Sequence, residues 1–236
     1  MSDWATKRFW KEAQVTSVED GFGVALDERP LRTPAKAPLI VPTRALAEAI
    51  ATEWDAQTER VDPGTMPVTR SANAAIDKVA VQHGEVADMI ADYGDSDLLC
   101  YRADSPVELV AEQAAAWDPM LAWCDSFYAA PLTQLTGLMH RPQAPESLRI
   151  LREAVHAQDN YGLTALHDLV SLSGSLVLGL AALQDDQDID YLWKLSRLDE
   201  EWQARLWGVD DEATELAARK CAAFLHARRF FCLSRA

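Results

Sequence analysis

The chain has 236 residues, a formal net charge of -15 at pH 7 and a hydrophobic content of 49%. This length and composition supply enough apolar material for two folded domains and argue against extensive disorder. The negative charge argues against nucleic acid as a partner, because binding to phosphate backbones depends on Lys and Arg displacing counterions. A partner with a basic surface is expected instead.

Residues 9–42 predict a small antiparallel sheet. Apolar residues alternate with small or polar ones on both sides of the turn signal Asp20-Gly21, as in a β-hairpin. Further strand signals at Leu31 and over residues 39–41 add one or two strands. A sheet of three or four strands is too small to be stable alone, so a helix must cover one face.

That covering helix is predicted over residues 43–57, with Thr43 as its N-cap. Leu46, Ile50 and Trp54 recur every four residues and form one apolar stripe. Trp54 is therefore expected to hold the helix on the sheet as structural support.

A change of pattern marks the predicted domain boundary. Asp62-Pro63-Gly64 breaks the chain, Met66-Pro67 extends it, and the apolar period beyond them is helical. We therefore expect an α+β protein: a small β-rich N-terminal domain with one covering helix over residues 1–68, followed by a larger all-helical orthogonal bundle over 69–236.

The C-terminal domain is predicted to be helical almost throughout. Ser105-Pro106-Val107-Glu108 has the residue types of a helix N-terminus, with Ser105 as the cap. The uncharged run over residues 169–183 is short for a bilayer and contains Ser173-Gly174-Ser175, which favours a buried helix over a membrane span. Helices are also predicted over 69–81, 84–93 and 163–183, and a short strand or loop over 132–139 is predicted to return to the sheet.

The most informative segment is acidic and contains tryptophan. Between residues 185 and 215, eleven Asp and Glu stand against Lys194, Arg197 and Arg205, so this window carries -8 of the net charge of -15. An acidic surface interleaved with Trp is more typical of binding to a protein than to nucleic acid or an anionic membrane.

A helix capped by Asp188 is predicted to run through this segment to Gly208. The spacing places Glu201 and Arg205 four residues apart as an ion pair on its outer face, and Asp210 to Glu212 begin the last helix. The core-facing stripe is predicted to consist of Leu192, Leu195, Leu198, Trp202 and Leu206.

No signature of catalysis or of a cofactor is found. The sequence lacks a Walker loop, a dinucleotide-binding fingerprint, a His-Glu-x-x-His motif and a nucleophile elbow, and its four cysteines form no Cys-x-x-Cys pair. Asp92, Asp95 and Asp97 lack the spacing of an EF-hand loop and indicate a capped turn. Ser173-Gly174-Ser175 indicates close helix packing rather than a phosphate cradle, so we predict no catalytic residue, cofactor or metal site.

Short motifs occur in a constant order along nearly the whole chain. They are Arg8-Phe-Trp-Lys-Glu-Ala, Val24-Ala-Leu-Asp-Glu-Arg-Pro-Leu-Arg-Thr-Pro-Ala-Lys, Val41-Pro-Thr with Leu46-Ala, Glu53-Trp-Asp-Ala-Gln, Pro63 through Met66-Pro67-Val-Thr, Asp97-Leu-Leu-Cys-Tyr-Arg, Gln113 with Trp117-Asp-Pro, Ser173-Gly-Ser, and Leu198-Asp-Glu-Glu-Trp-Gln to Trp207-Gly with Asp210 and Glu212. Together they resemble the F-type ATP synthase assembly chaperone family that binds the alpha subunit of the catalytic head.

The resemblance implies an ATP-independent chaperone without enzymatic activity. Such a protein holds the unassembled alpha subunit, prevents its aggregation and hands it to the beta subunit. The resemblance also implies a small β-rich domain followed by a larger helical one. Eukaryotic relatives act in the mitochondrial matrix, whereas this chain begins at the family motif, so a bacterial cytoplasm is expected. We expect no membrane insertion and a monomer in the unbound state.

The client-binding surface is expected in the acidic segment. The alternative for residues 202–212 is a helix end whose acids only compensate the helix dipole. The alternative function is a small-molecule enzyme with an acidic cleft between the two domains. The residues expected to bind the client are Glu200, Glu201, Trp207, Asp210 and Glu212, with Trp54 and Trp202 as structural support.

Overall fold

The computed structural model describes residues 7–137 and 139–236, and over these residues the fold is α+β, as predicted. The chain divides into two compact units. The first contains residues 7–83 with Asn160–Ala165 and Arg229–Ala236, and the second contains Gly84–Asp159 with Leu166–Arg228. The division therefore differs from the predicted boundary after residue 68.

The first unit contains a four-stranded antiparallel sheet, as expected. The strands are β1 (Ala13–Val18), β2 (Gly21–Leu26), β3 (Arg29–Pro30) and β4 (Ile40–Val41), and β2 pairs with each of the other three. The predicted hairpin is present, but Val18 pairs with Gly21. Its loop is therefore Glu19-Asp20, and Gly21 is the first residue of β2.

Gly21 is needed for this hairpin, because its φ of +147° is rarely adopted by other residues and a Cβ would lie 2.5 Å from the Val41 carbonyl oxygen. We expect Gly21→Ala to lower the free energy of unfolding by about 1–3 kcal/mol. Urea denaturation measures this change. Gly84→Ala is the matched control: it has open space around it at the start of a helix and should be neutral or stabilising by up to about 1 kcal/mol. Equal effects of the two substitutions would contradict the prediction.

Helix α1 (Arg44–Asp55) covers the sheet as predicted. The Thr43 hydroxyl accepts a hydrogen bond from the Leu46 N–H at 3.1 Å, and Leu46 and Ile50 are fully buried. Trp54 is half-buried and packs edge-to-face on buried Trp10, with ring centroids 5.3 Å apart. This pair joins α1 to the residues that precede β1.

The motif Glu53-Trp-Asp-Ala-Gln explains why the first unit extends past residue 68. The Glu53 carboxylate accepts hydrogen bonds from the N–H groups of Val68 and Thr69, both at 2.7 Å. These are orphan donors of the first turn of α2 (Pro67–Ala74), which continues as a π-helix over Ala75–Val79. Helix α2 is thereby attached to α1.

Two later segments of the chain complete the first unit. The Tyr161 hydroxyl donates to the Ile40 carbonyl oxygen at 2.8 Å, and the Thr43 hydroxyl donates to the Leu233 carbonyl oxygen. These contacts connect residues far apart in sequence to β4 and to the N-cap of α1. They explain why a boundary drawn from local sequence patterns differs from the observed units.

The remaining helices fill most of the region that was predicted to be helical, with several differences. They are α3 (His83–Ala91), α4 (Val107–Tyr128), α5 (Pro145–His156), α6 (Asn160–Ser173), α7 (Leu176–Ala181), α8 (Ile189–Ser196), α9 (Leu198–Trp207) and α10 (Asp211–Leu233). Ser105 does not cap α4, because its hydroxyl donates to the Asp104 carboxylate and Pro106 occupies the cap position. Among the described residues, no helix is long and apolar enough to cross a bilayer.

The described residues of the segment over 132–139 do not pair with the N-terminal sheet. Strand β6 (Leu135–Thr136) pairs in parallel with β5 (Tyr101–Arg102), which follows two 3-10 turns over Asp92–Ser96 and Leu98–Cys100. The prediction for this segment was therefore wrong in its pairing. The helical region also contains this short strand pair and is not entirely helical.

The predicted helix over 163–183 is two helices separated by Gly174, whose φ is +72°. The predicted close packing of this region is confirmed at Gly179, where a Cβ would lie 2.4 Å from Val170 Cγ2. The Ser175 hydroxyl caps α7 by accepting from the Leu178 N–H, so Ser173-Gly174-Ser175 serves as a helix junction.

A buried carboxylate holds this junction in place. Asp97 is fully buried and accepts hydrogen bonds from the Ser175 hydroxyl at 2.8 Å and from the N–H groups of Val177 and Leu99, both at 3.0 Å. Burial raises the pKa of Asp97, and these hydrogen bonds act in the opposite direction. Two of the short sequence motifs, at residues 97–102 and 173–175, are thus partners in the core.

Candidate functional site

The acidic segment lies in the second unit, and the one helix predicted between Asp188 and Gly208 is two helices, α8 and α9. Arg197 leaves helical geometry (φ -109°, ψ 5°) and separates α8 from α9. The predicted stripe is correct for Leu192, Leu195 and Leu198, which are buried, but wrong for Leu206, which is 57% exposed. Trp202 is half-buried. The predicted stripe does not continue after Leu198, because its spacing assumed one continuous helix through Arg197.

Helix α4 fixes the position of this helix junction. The Trp117 indole N–H donates to the Leu195 carbonyl oxygen at 2.9 Å, and the Gln113 amide donates to the Asp199 carboxylate at 2.7 Å. Both side chains are buried. Sequence reasoning missed this role, although Gln113 and Trp117 stand one turn apart on a single helix, a spacing that places them on one face.

An exposed apolar corner follows α9. Gly208 ends the helix with a φ of +94°, and the chain turns into α10. Leu206, Trp207 and Val209, which we call the apolar corner, are 57%, 81% and 73% exposed. The Trp207 ring is oriented by a hydrogen bond from its indole N–H to the Gln203 side chain at 2.9 Å. Exposed apolar side chains grouped in this way are typical of an interaction site.

An open trough of about 370 Å³ lies beside the apolar corner, between the end of α8, α9 and the first half of α10. Four of its lining residues are alanines, and three others carry carboxylates. The lining residues are Trp193, Arg197, Glu200, Glu201, Ala204, Val209, Asp210, Ala213, Thr214, Ala217, Ala218 and Cys221. The trough therefore combines small apolar side chains with carboxylates.

The predicted client-binding residues occupy three different environments. Glu200, Glu201 and Asp210 line the trough, Trp207 lies in the apolar corner, and Glu212 lies outside the trough lining. The Asp210 carboxylate accepts from the Glu212 N–H at 2.9 Å and caps α10. Asp210 thus has a structural function, as the helix-end interpretation expects.

Among the three carboxylates that line the trough, that of Glu201 is the one with no partner in the described part of the chain. Glu200 pairs with Arg197 at 2.7 Å. The predicted Glu201–Arg205 pair is absent, because Arg205 lies over the Trp202 ring and pairs with Glu112 of α4 at 2.6 Å. Within residues 7–137 and 139–236, the Glu201 carboxylate has no hydrogen bond or ion pair, and the residue is exposed.

The trough contains one thiol, at Cys221. Burial raises the pKa of this thiol, and the Asp190 carboxylate raises it further, so the thiol remains protonated near neutral pH. No group of three or more potential metal-binding side chains occurs in the part of the chain that the structure describes. Asp97 is enclosed in the core, and Asp92 pairs with Arg152 at 2.7 Å.

The fold and the trough define an α+β binding protein that presents an acidic helical surface. Residues 7–125 match the family model of the ATP12 chaperone protein, and the chain belongs to this family of assembly chaperones for ATP synthase. The resemblance inferred from the short motifs is thereby confirmed at the level of the family.

Solved structures extend this similarity to the acidic segment. The structure of Atp12 from Paracoccus denitrificans is 51% identical, with a TM-score of 0.94 over 97% of this chain and 98% of that one. A mutant of the P. denitrificans protein gives a TM-score of 0.95 at 51% identity, covering 99% and 100% of the two chains. The mitochondrial protein atp12 of Schizosaccharomyces pombe is 25% identical, over 89% of this chain and 76% of that protein.

Proposed function

We propose that this protein binds the unassembled alpha subunit of F-type ATP synthase, prevents its aggregation and hands it to the beta subunit. Membership of the assembly chaperone family supports this proposal. The observation that carries it is the Glu201 carboxylate, which has no partner among the residues that the structure describes and lies on an open trough next to the exposed Trp207 ring. A carboxylate and a large apolar surface together suit a client interface that is apolar and basic.

The two parts of the surface act differently in the proposed complex. The apolar corner covers client surface that would otherwise aggregate, because burying exposed apolar area is favourable in water. The trough carboxylates attract basic side chains and select the orientation of the client, since charge complementarity contributes mainly to association rate and specificity.

Release in this proposal requires competition rather than chemistry. The beta subunit displaces the chaperone when it buries an overlapping surface of the alpha subunit more extensively. The chaperone then needs no hydrolysis, cofactor or metal of its own. We further propose a bacterial cytoplasmic setting and a monomeric unbound state.

Co-expression with the isolated alpha subunit tests the proposed function. We expect the alpha subunit to remain soluble and to co-purify with the chaperone, and added beta subunit to displace the chaperone. An alpha subunit that is equally soluble with and without the chaperone would contradict the proposal. Calorimetry with nucleotides and divalent metals provides a second test, since tight stoichiometric binding would support the enzyme alternative.

Trp207→Ala is expected to weaken binding of the alpha subunit by about 2 kcal/mol or more, because exposed Trp side chains are frequent energetic centres of interfaces. Its effect on folding should stay within about 0.5 kcal/mol, since the ring is 81% exposed. Titration calorimetry and thermal denaturation measure the two quantities. Val81→Ala, another exposed apolar residue, is the control and should leave binding unchanged. Equal binding by both variants would remove Trp207 from the proposed interface.

A further inference from the structure

The trough resembles the space left between two helices when a third helix is missing. On the α9 side it is lined at positions 197, 200, 201 and 204, and on the α10 side at 210, 213, 214, 217, 218 and 221. Both sets follow the i, i+3, i+4, i+7 spacing of a face that a helix buries against a neighbour. Two such faces therefore border one open space.

Small side chains keep this space open. Ala204 faces it from α9, and Ala213, Ala217 and Ala218 face it from α10. Helix axes in proteins approach to about 8–10 Å depending on the side chains between them, so alanines permit another helix to approach closely. The volume of about 370 Å³ accommodates a few side chains. Side chains from one face of a single helix can fill a space of this size.

The charges of the residues that line the trough restrict which segment can bind there. Three carboxylates, from Glu200, Glu201 and Asp210, line the trough with one guanidinium, from Arg197. That guanidinium is paired with Glu200, and Asp210 caps α10, so Glu201 is the trough carboxylate that has no partner among the described residues. A lining that combines four alanines with the Glu201 carboxylate is complementary to a segment with an apolar face and a basic residue beside it.

We propose that the trough binds one amphipathic helix of the client, with its apolar side chains on the alanines and a Lys or Arg paired with Glu201. This mode of recognition places a helix in a groove and reads residues at helical spacing. The inference rests on the proposed function, because the helix belongs to the alpha subunit. It separates the roles of the two surfaces: the trough takes one helix, and the apolar corner contacts the adjoining client surface.

The first test fills the trough from α10. Ala217→Leu adds apolar volume at a residue that lines the trough, so less space remains for the client helix. The affinity for the alpha subunit should fall by about tenfold or more, which corresponds to about 1.4 kcal/mol or more. Ala223→Leu adds the same volume at an exposed position of α10 outside the trough lining and should bind normally. Thermal denaturation verifies that both variants are folded. Normal binding by folded Ala217→Leu would overturn the inference.

The second test uses the wild-type chaperone, without any substitution. Cys221 lines the trough, Cys232 is exposed outside the trough lining, and Cys100 and Cys124 are buried. Bound alpha subunit should slow maleimide modification of Cys221 by about tenfold, as expected for a site occupied by a partner most of the time, while Cys232 reacts at its usual rate. Unchanged reactivity of Cys221 in a verified complex would overturn the inference.

Hydrogen exchange of the alpha subunit identifies the bound segment. We expect chaperone binding to protect one segment whose apolar residues recur at helical spacing and which carries Lys or Arg. Protection of only an acidic or an extended segment would overturn the inference. The inference would also be overturned if the free chaperone forms dimers and Ala217→Leu abolishes them.

If the wild-type chaperone binds no alpha subunit, the proposed function itself fails. If it binds and only the trough results are negative, the helix inference alone fails.

Discussion

Glu201→Lys is expected to reduce co-purification of the alpha subunit by at least about tenfold, because it places a like charge against the basic client side chain proposed to pair with Glu201. The change should have little effect on folding, since Glu201 is exposed and forms no ion pair within residues 7–137 and 139–236. A cost of about 0.3–1 kcal/mol is expected from placing a cation in the first turn of α9. Pull-down assays at increasing salt concentration measure the binding and how much of it depends on charge.

Matched variants distinguish a local effect from a general loss of negative charge. Glu215→Lys makes the same charge change on α10 outside the trough lining and should bind almost normally. Glu212→Lys is expected to have a smaller effect than Glu201→Lys, because Glu212 also lies outside the lining. Similar losses for all three would show that overall charge matters rather than the Glu201 carboxylate.

Asp97→Ala is expected to lower the free energy of unfolding by about 3–5 kcal/mol, the largest effect on stability proposed for this chain. The substitution leaves the buried Ser175 hydroxyl and the Val177 and Leu99 N–H groups without their acceptor. Each unsatisfied buried donor carries its own desolvation cost. Chemical denaturation followed by circular dichroism measures the change.

Asp92→Ala is the control for Asp97, because both residues belong to the same acidic sequence cluster. Asp92 is on the surface and pairs with Arg152, so its loss should cost at most about 1 kcal/mol. Asp97→Asn retains one carbonyl oxygen and should be less severe than Asp97→Ala. A small effect of Asp97→Ala would mean that the junction between α6 and α7 is stabilised by packing alone.

The sequence predicted the first unit well where the signals were local. The hairpin, the Thr43 cap and the α1 stripe depend on residues within a few positions of one another, and all three are present. The extent of the unit was predicted less well. Glu53 reaches α2 and Tyr161 reaches β4, and contacts of this kind between distant residues have no periodic signature in a sequence.

The candidate site was predicted only in part, again because contacts between distant residues leave no periodic signature in a sequence. Composition identified the acidic segment, and Gly208 and Asp210 were correctly predicted to separate its helices. The division of α8 from α9 at Arg197 was not predicted, because the apolar spacing continues through it. Arg205 pairs with Glu112, ninety-three residues away in sequence, and not with Glu201.

The sequence alone therefore determined the fold class, the positions of most helices and sheet strands, the acidic character of residues 185–215 and the resemblance to a chaperone family. These properties are carried by composition, short-range periodicity and ordered motifs. Only the tertiary structure decided which acids are available to a partner. Every Asp and Glu of the segment carries a similar charge in sequence, but a hydrogen bond from Gln113 engages Asp199 and helix capping engages Asp210. Within the described residues, the same packing leaves the Glu201 carboxylate unpaired.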